Sequence, residues 1–173
     1  MLELSSLPFS DISPSNIVVF KGRGVLVDFH AAKLIKPTDG SCSPCRSVTG
    51  KVLYMARSLH FSGERQSSAT DMESLFYSLL AVASDGRALP WRHLCDPKLI
   101  GAYKTAILAD DKHWAESCKH CRGTPLVSLL ERVREVVQQP SPTLEGYINA
   151  FGVKTEPLLE GFGPSSPVND GVV

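Results

Sequence analysis

Apolar positions along the chain change their rhythm near residue 70. Before that point the clearest signal is two short runs: residues 16–20 read NIVVF and residues 24–29 read GVLVDF. Both are rich in β-branched side chains, which favour extended backbone. Lys21-Gly22-Arg23-Gly24 lies between them and supplies a tight turn. The pattern predicts a β-hairpin with Asp28 at the exit of its second strand. Residues 31–50 mix Lys, Pro, Thr, Ser, Gly and Cys without periodicity and predict a long loop. Residues 51–69 are also irregular, apart from an apolar patch at 52–55. From Thr70 the rhythm becomes helical. Thr70-Asp71-Met72-Glu73 reads as a capping box. Leu75, Phe76, Leu79, Leu80 and Val82 then make a helix apolar around most of its circumference, hence buried. Ser84-Asp85-Gly86 ends it, and Pro90-Trp91 opens a new segment. Further helices are predicted over 97–109, 112–118, 124–138 and 144–151. In the third of these, Leu126, Leu129, Leu130, Val133, Val136 and Val137 share one face, while Glu131, Arg132, Arg134 and Glu135 face water.

The pattern predicts a mostly α fold with one small hairpin, in a single domain over residues 1–151. A disordered tail rich in Gly, Pro and Ser is expected over 152–173. No internal repeat is present. Of the 173 residues, 43% are apolar and 21% charged, ordinary for a globular protein that builds its core without disulfides or metal. Eighteen basic residues balance eighteen acidic ones, which argues against nucleic acid or an anionic membrane as the main partner. No apolar run is long enough to cross a bilayer, and the first residues lack the pattern of a signal peptide. A cytoplasmic or nuclear location is expected, with the five cysteines as free thiols.

Two constellations carry candidate chemistry. Asp11 and Asn16 bracket a short loop, Asp-Ile-Ser-Pro-Ser-Asn, that runs into the first strand. Asp28-Phe29-His30 follows the second. A hairpin brings its two ends together, so Asn16 and Asp28 are expected as neighbours. An amide oxygen beside a carboxylate is a hard-oxygen pair suited to Mg²⁺. Asp11, one loop away, could orient a hydroxyl or accept its proton. Read blandly, the same residues are turn formers and strand-end or first-turn caps.

DISPSN resembles the catalytic loop of protein kinases, in which an Asn follows the catalytic Asp by five residues, and DFH resembles their Asp-Phe-Gly metal loop. The DISPxN form particularly resembles a divergent kinase group common in fungi. Residues 49–56, TGKVLYMA, resemble the end of the kinase activation loop, which then spans about 31–57, with Thr38, Ser41, Ser43, Ser47 and Thr49 as candidate phosphorylation sites. Asp71-Met72-Glu73-Ser74-Leu75 resembles the start of the central helix of the kinase C-terminal lobe. The resemblance covers about residues 8–92. It implies that Asp11 is the catalytic aspartate and that Asn16 and Asp28 hold Mg²⁺ on ATP. It also implies that Phe9 and Phe29 are structural, and that Asp71 binds the backbone of the catalytic loop. The reaction implied is in-line phosphoryl transfer to a protein Ser or Thr.

The sequence departs from that pattern in several places. Phe9-Ser10 stands where the family has His-Arg, so no loop arginine is available to pair with an activation-loop phosphate. Ser13 replaces a lysine, and His30 replaces the glycine of the metal loop. Arg57 stands where a glutamate would pair with a late-helix arginine, and reads as an unpaired surface residue. The ten residues before Asp11 hold no phosphate loop, strand lysine or adenine hinge. These 173 residues alone are therefore expected to be inactive, and a protein partner or an N-terminal lobe is expected to cover apolar surface on Leu75, Phe76 or Leu79. Self-association follows if nothing does.

Cys42/Cys45 and Cys118/Cys121 are two CxxC pairs that could hold a structural Zn²⁺, with His113 and His120 as further ligands. The alternative is free thiols. Cys95 reads as a core or subsurface thiol, and Trp91 and Trp114 as packing anchors. Three functions stand at this point: a kinase-like domain, a non-catalytic protein-binding module, and a zinc-stabilised helical domain.

Overall fold

The computed structural model describes residues 9, 11–29, 51–61, 66–121 and 126–152. The expected tail, most of the expected activation loop with its hydroxyls, His30, Cys42 and Cys45 lie outside the described residues.

The fold is mostly helical with one small antiparallel sheet. After a 3₁₀ turn at Pro14–Asn16, strands β1 (Ile17–Phe20) and β2 (Arg23–Leu26) pair with Ile17 opposite Leu26 and Phe20 opposite Arg23. The second strand is shorter than the sequence pattern suggested. The register leaves a two-residue turn, Lys21-Gly22, with φ of 50° and 74°. Two consecutive left-handed residues give the turn twist that suits a hairpin.

Five helices follow: α1 (Ser68–Ser84), α2 (Pro97–Ala109), α3 (Asp111–Cys118), α4 (Val127–Val137) and α5 (Leu144–Phe151). Short 3₁₀ turns at Arg57–His60, Pro90–His93 and Lys119–Cys121 join them. Helix starts match their sequence signals. Asp96 caps the amides of Lys98 and Leu99 with Pro97 in the first turn, Asp110 caps His113, and Thr143 caps Gly146. α1 starts earlier than the sequence suggested. Its cap is Ser67, which accepts from the Thr70 amide, and Thr70 closes the box from inside the helix by accepting the Ser67 amide. Thr70 is thus the box's third helical residue, and Glu73 is released for another task.

α1 is the central element, in contact with α4, α5 and the turn before β1. Its Phe76, Tyr77 and Leu80 are almost wholly buried, together with Leu130, Val133 and Val137 of α4 and Tyr147 of α5. Each large apolar side chain removed from water in this way contributes roughly 1.5–3 kcal/mol. An aromatic line runs through the core: Phe76 stacks on Trp114 at 5.9 Å, and Tyr77 meets Trp91 edge-on at 5.5 Å. Both tryptophans are packing anchors, as expected, and the Trp91 indole also donates to the Leu53 carbonyl at 3.0 Å.

Several expectations of exposure are corrected. Phe76 is fully buried because the described helices pack onto α1, whereas Leu75 and Leu79 stay partly exposed. The exposed apolar residue of that helix is Val82. Cys95 is exposed rather than in the core, since it follows a 3₁₀ turn on the surface and precedes the cap of α2. Arg134 does not face water. Its side chain lies over the Trp114 ring, bonds the Leu108 carbonyl and pairs with Asp111 at 2.8 Å.

Candidate functional site

The loop before β1 is built by short-range bonds. The amide of Asn16 donates from its side chain to the Asp11 carbonyl at 2.9 Å and to the Asp11 carboxylate at 3.1 Å. The loop is thereby folded on itself, and Asn16 is buried. With its nitrogen committed to Asp11, the Asn16 side chain has its oxygen left for other partners, one of which is the Ser15 hydroxyl at 3.4 Å. At the hairpin mouth the Val27 amide donates to the Asn16 carbonyl at 2.8 Å. This rung extends the pairing beyond β2 and sets Asp28 one residue past it. Asp28 is exposed and adopts φ of 66°, a conformation unfavourable for most side chains and best tolerated by Asp, Asn and Gly. The Phe9 and Phe29 rings lie 5.3 Å apart across this mouth.

Two longer-range contacts fix the loop to the rest of the fold. The buried carboxylate of Asp71, in the first turn of α1, accepts the Phe9 backbone amide, and the Ser78 hydroxyl reaches the Ile12 carbonyl at 3.4 Å. On the other side, the Lys51 backbone amide donates to the Asp11 carboxylate at 3.2 Å, and the Lys51 ammonium contacts the Ser15 hydroxyl. Asp11 therefore sits between its own loop and the segment that begins at Lys51. Lys51 was not singled out in the sequence. It stands in the run TGKVLYMA at residues 49–56.

The same segment is anchored further on by Arg57, which corrects the expectation of an unpaired surface residue. Its side chain is mostly buried and its guanidinium pairs with Glu73 at 3.0 Å. Its backbone amide donates to the same carboxylate at 2.9 Å, and its far nitrogen reaches the Val137 carbonyl at the end of α4. Tyr77 donates its hydroxyl to Glu73 as well, at 2.8 Å. The acid comes from α1, so the partner was present all along in the residue taken for a capping-box acid. Burial opposes the charge on Arg57, but attraction to Glu73 and Tyr77 outweighs it and the pKa lies above the ordinary value.

Among the described residues, no group of three or more His, Cys, Asp or Glu side chains is placed to hold a metal ion. Cys118 and Cys121 are both buried. Burial pushes the Cys118 thiol up to about 12, with the neighbouring Cys121 adding to the shift, and burial also raises Cys121. That is the opposite of what a ready thiolate ligand requires. The other CxxC pair lies outside the described residues. No helix among the described residues is long and apolar enough to cross a membrane. Compared with protein-family models and with curated protein sequences, the chain matches none.

Proposed function

We propose that the helical fold is a protein-kinase-like C-terminal lobe, and that its loop at 11–16 and hairpin exit at 28 form the metal and hydroxyl side of a phosphoryl-transfer site. The observation that carries this reading is the buried Asp71 carboxylate holding the Phe9 amide. The resemblance requires the first-turn acid of the central helix to grip the catalytic-loop backbone, and the two residues are 62 apart in sequence. In this reading Asp11 orients the acceptor hydroxyl and receives its proton. Asn16 and Asp28 offer an amide oxygen and a carboxylate to a Mg²⁺ ion, a donor set that fits a hard cation. When bound with ATP, that ion would neutralise phosphate charge. The chain's own contribution is to hold Asp11 still, through Asn16 on one side and Lys51 on the other.

The 173 residues by themselves carry no phosphate loop, strand lysine or adenine hinge in their sequence, so they act as one wall of such a site. No Asp11-dependent transfer from radiolabelled ATP is expected from this polypeptide alone. The metal assignment is tested with Mn²⁺ as a paramagnetic probe. Amide resonances of residues 11–16 and 27–29 should broaden first, and Asp28→Asn should abolish the effect. Broadening spread evenly over the surface carboxylates would remove the reading.

A second reading, a non-catalytic protein-binding module, is favoured by the hairpin surface. Val19 is 80% and Phe20 61% exposed, with Val18 and Val25 also exposed. The occupant proposed is a second copy of the chain. Replacing Val19 and Phe20 by Thr should lower self-association measured by light scattering. An unchanged mass distribution counts against this reading.

A further inference from the structure

Lys104 is a lysine with no access to water. It lies in the middle of α2, on the face shared by Ile100, Ile107 and Leu108, all buried. Its nitrogen is 2.6 Å from the Met55 carbonyl, 3.2 Å from the Val52 carbonyl and 3.1 Å from His60 Nε2. It also lies over the Tyr77 ring at 4.5 Å and the Trp91 ring at 5.4 Å. The two carbonyls are neutral acceptors and the two rings present π faces, while His60 Nε2 donates to or accepts from the amine according to its tautomer. The titratable and charged groups that face it can be taken element by element. The 57–60 turn presents the buried His60, and Arg57 in that turn is engaged with Glu73. α1 presents the Tyr77 phenol and, as the nearest attracting carboxylate, Glu73, which already serves Arg57 and Tyr77. The 90–93 turn presents only the Trp91 indole, and the immediate helical neighbours on α2 are apolar.

We infer that Lys104 and His60 form an acid-sensitive latch between α2 and the 51–60 segment: closed around a neutral lysine, and loosened when that lysine takes up a proton and seeks water. The physical reason is that a buried ammonium without a carboxylate in contact gains more from hydration than from two carbonyls and two ring faces. Hydration is reached by lifting the 51–60 segment, because that segment supplies three of the nitrogen's neighbours. The segment also carries the Lys51 amide that holds Asp11, so opening would release the candidate site from one of its two supports. Burial draws Lys104 from its ordinary 10.5 down to about 7, only partly offset by Glu73. His60 is drawn to about 4, by burial and then by the Lys104 charge, so it stays neutral while Lys104 titrates. In the opened state Lys104 returns towards its ordinary value and binds the proton more tightly, so falling pH favours opening. The inference stands on this packing and does not require that Asp11 ever meets a nucleotide.

Amide hydrogen exchange at Tyr54, Met55 and Leu59 tests it, each rate divided by that of an unstructured peptide at the same pH. The opening constant should rise about tenfold per pH unit from pH 9 down to 7 and level off below. In Lys104→Met, which keeps an unbranched chain without the titrating group, it should be flat. A flat profile in the unaltered protein, or the same rise in Lys104→Met, overturns the latch. Should Lys104→Met fail to fold, the Lys104 side-chain ¹³Cε shift in the unaltered protein decides. A midpoint near neutrality supports the latch and one near 10.5 overturns it.

Discussion

Glu73 Oε1 accepts from three donors at once: the Arg57 amide, the Arg57 guanidinium and the Tyr77 hydroxyl. Removing the acceptor leaves all three in a place with little water. Glu73→Ala is therefore expected to destabilise the fold by about 3 kcal/mol or more, since a broken buried pair strands its partner. Arg57→Met, which keeps the stem packed, should cost less because Glu73 retains the amide and the phenol. The double variant should be less unstable than the sum of the two, as urea unfolding of all four proteins would show. A purely additive pair would mean that the bridge contributes nothing by itself. Neither partner was legible as such. Arg57 follows an irregular stretch that reads as surface, and Glu73 sits where a capping-box acid belongs. Their pairing depends on how the 57–60 turn docks on α1, which no local pattern encodes. Lys104 is different, because a signal was present. It falls four residues after Ile100 and three and four before Ile107 and Leu108, within one apolar stripe. A lysine inside such a stripe marks either a snorkelling stem or a buried amine. The Asp71 carboxylate accepts the Phe9 amide 62 residues away, a contact that no local pattern encodes.

At the scale of elements, helix bounds were the most legible feature. α2 and α5 fall where their caps and periodicity put them, and α3 and α4 within a few residues. Each cap works through residues three or fewer apart, so sequence alone carries it. The start of α1 was the exception, since Thr70 reads as its cap whereas the cap is Ser67, three residues earlier. Two substitutions test the packing between elements. A β-carbon on Gly101 would lie 2.6 Å from His60 Cβ, so α2 approaches the 57–60 turn at a distance only glycine permits. Alanine is the better helix former by about 1 kcal/mol, yet Gly101→Ala is expected to destabilise by about 1–3 kcal/mol because the turn must move. A rise in stability would show that the helix and turn are not in close contact. In the hairpin, Lys21 occupies the first of the two left-handed turn positions. Asparagine suits that conformation, and Lys21→Asn should raise hairpin stability by about 0.5–1 kcal/mol. Cross-strand amide protection at Val18 and Val25 would report it.

For the molecule as a whole, buried ionisable groups of opposite kinds set the pH at which it is most stable. Lys104 and His60 have folded pKa values below their ordinary ones, about 7 against 10.5 and about 4 against 6.5. Between each pair of values the unfolded chain holds more protons than the folded one, so stability rises with pH there. The two windows run from about 4 to 6.5 and from about 7 to 10.5. Cys118 shifts the other way, to about 12 from 9, and burial raises Tyr77 and Tyr147 as well. These groups keep their protons in the fold after the unfolded chain has lost them, so from about 9 they oppose the continuing Lys104 rise, and stability falls once pH passes about 10.5. The urea midpoint should accordingly climb from pH 5 to about 9, level off, and decline beyond about 10.5. A protein governed by its surface carboxylates would instead level off by neutral pH. Lys104→Met should flatten the climb above pH 7 and weaken the part below it, because the Lys104 charge adds to burial in lowering His60. Cys118→Ala should weaken the alkaline decline, separating the thiol from the two phenols. A midpoint that does not change between pH 7 and 9 in the unaltered protein would show that Lys104 keeps its proton in the fold, held by the Val52 and Met55 carbonyls and the Tyr77 and Trp91 rings.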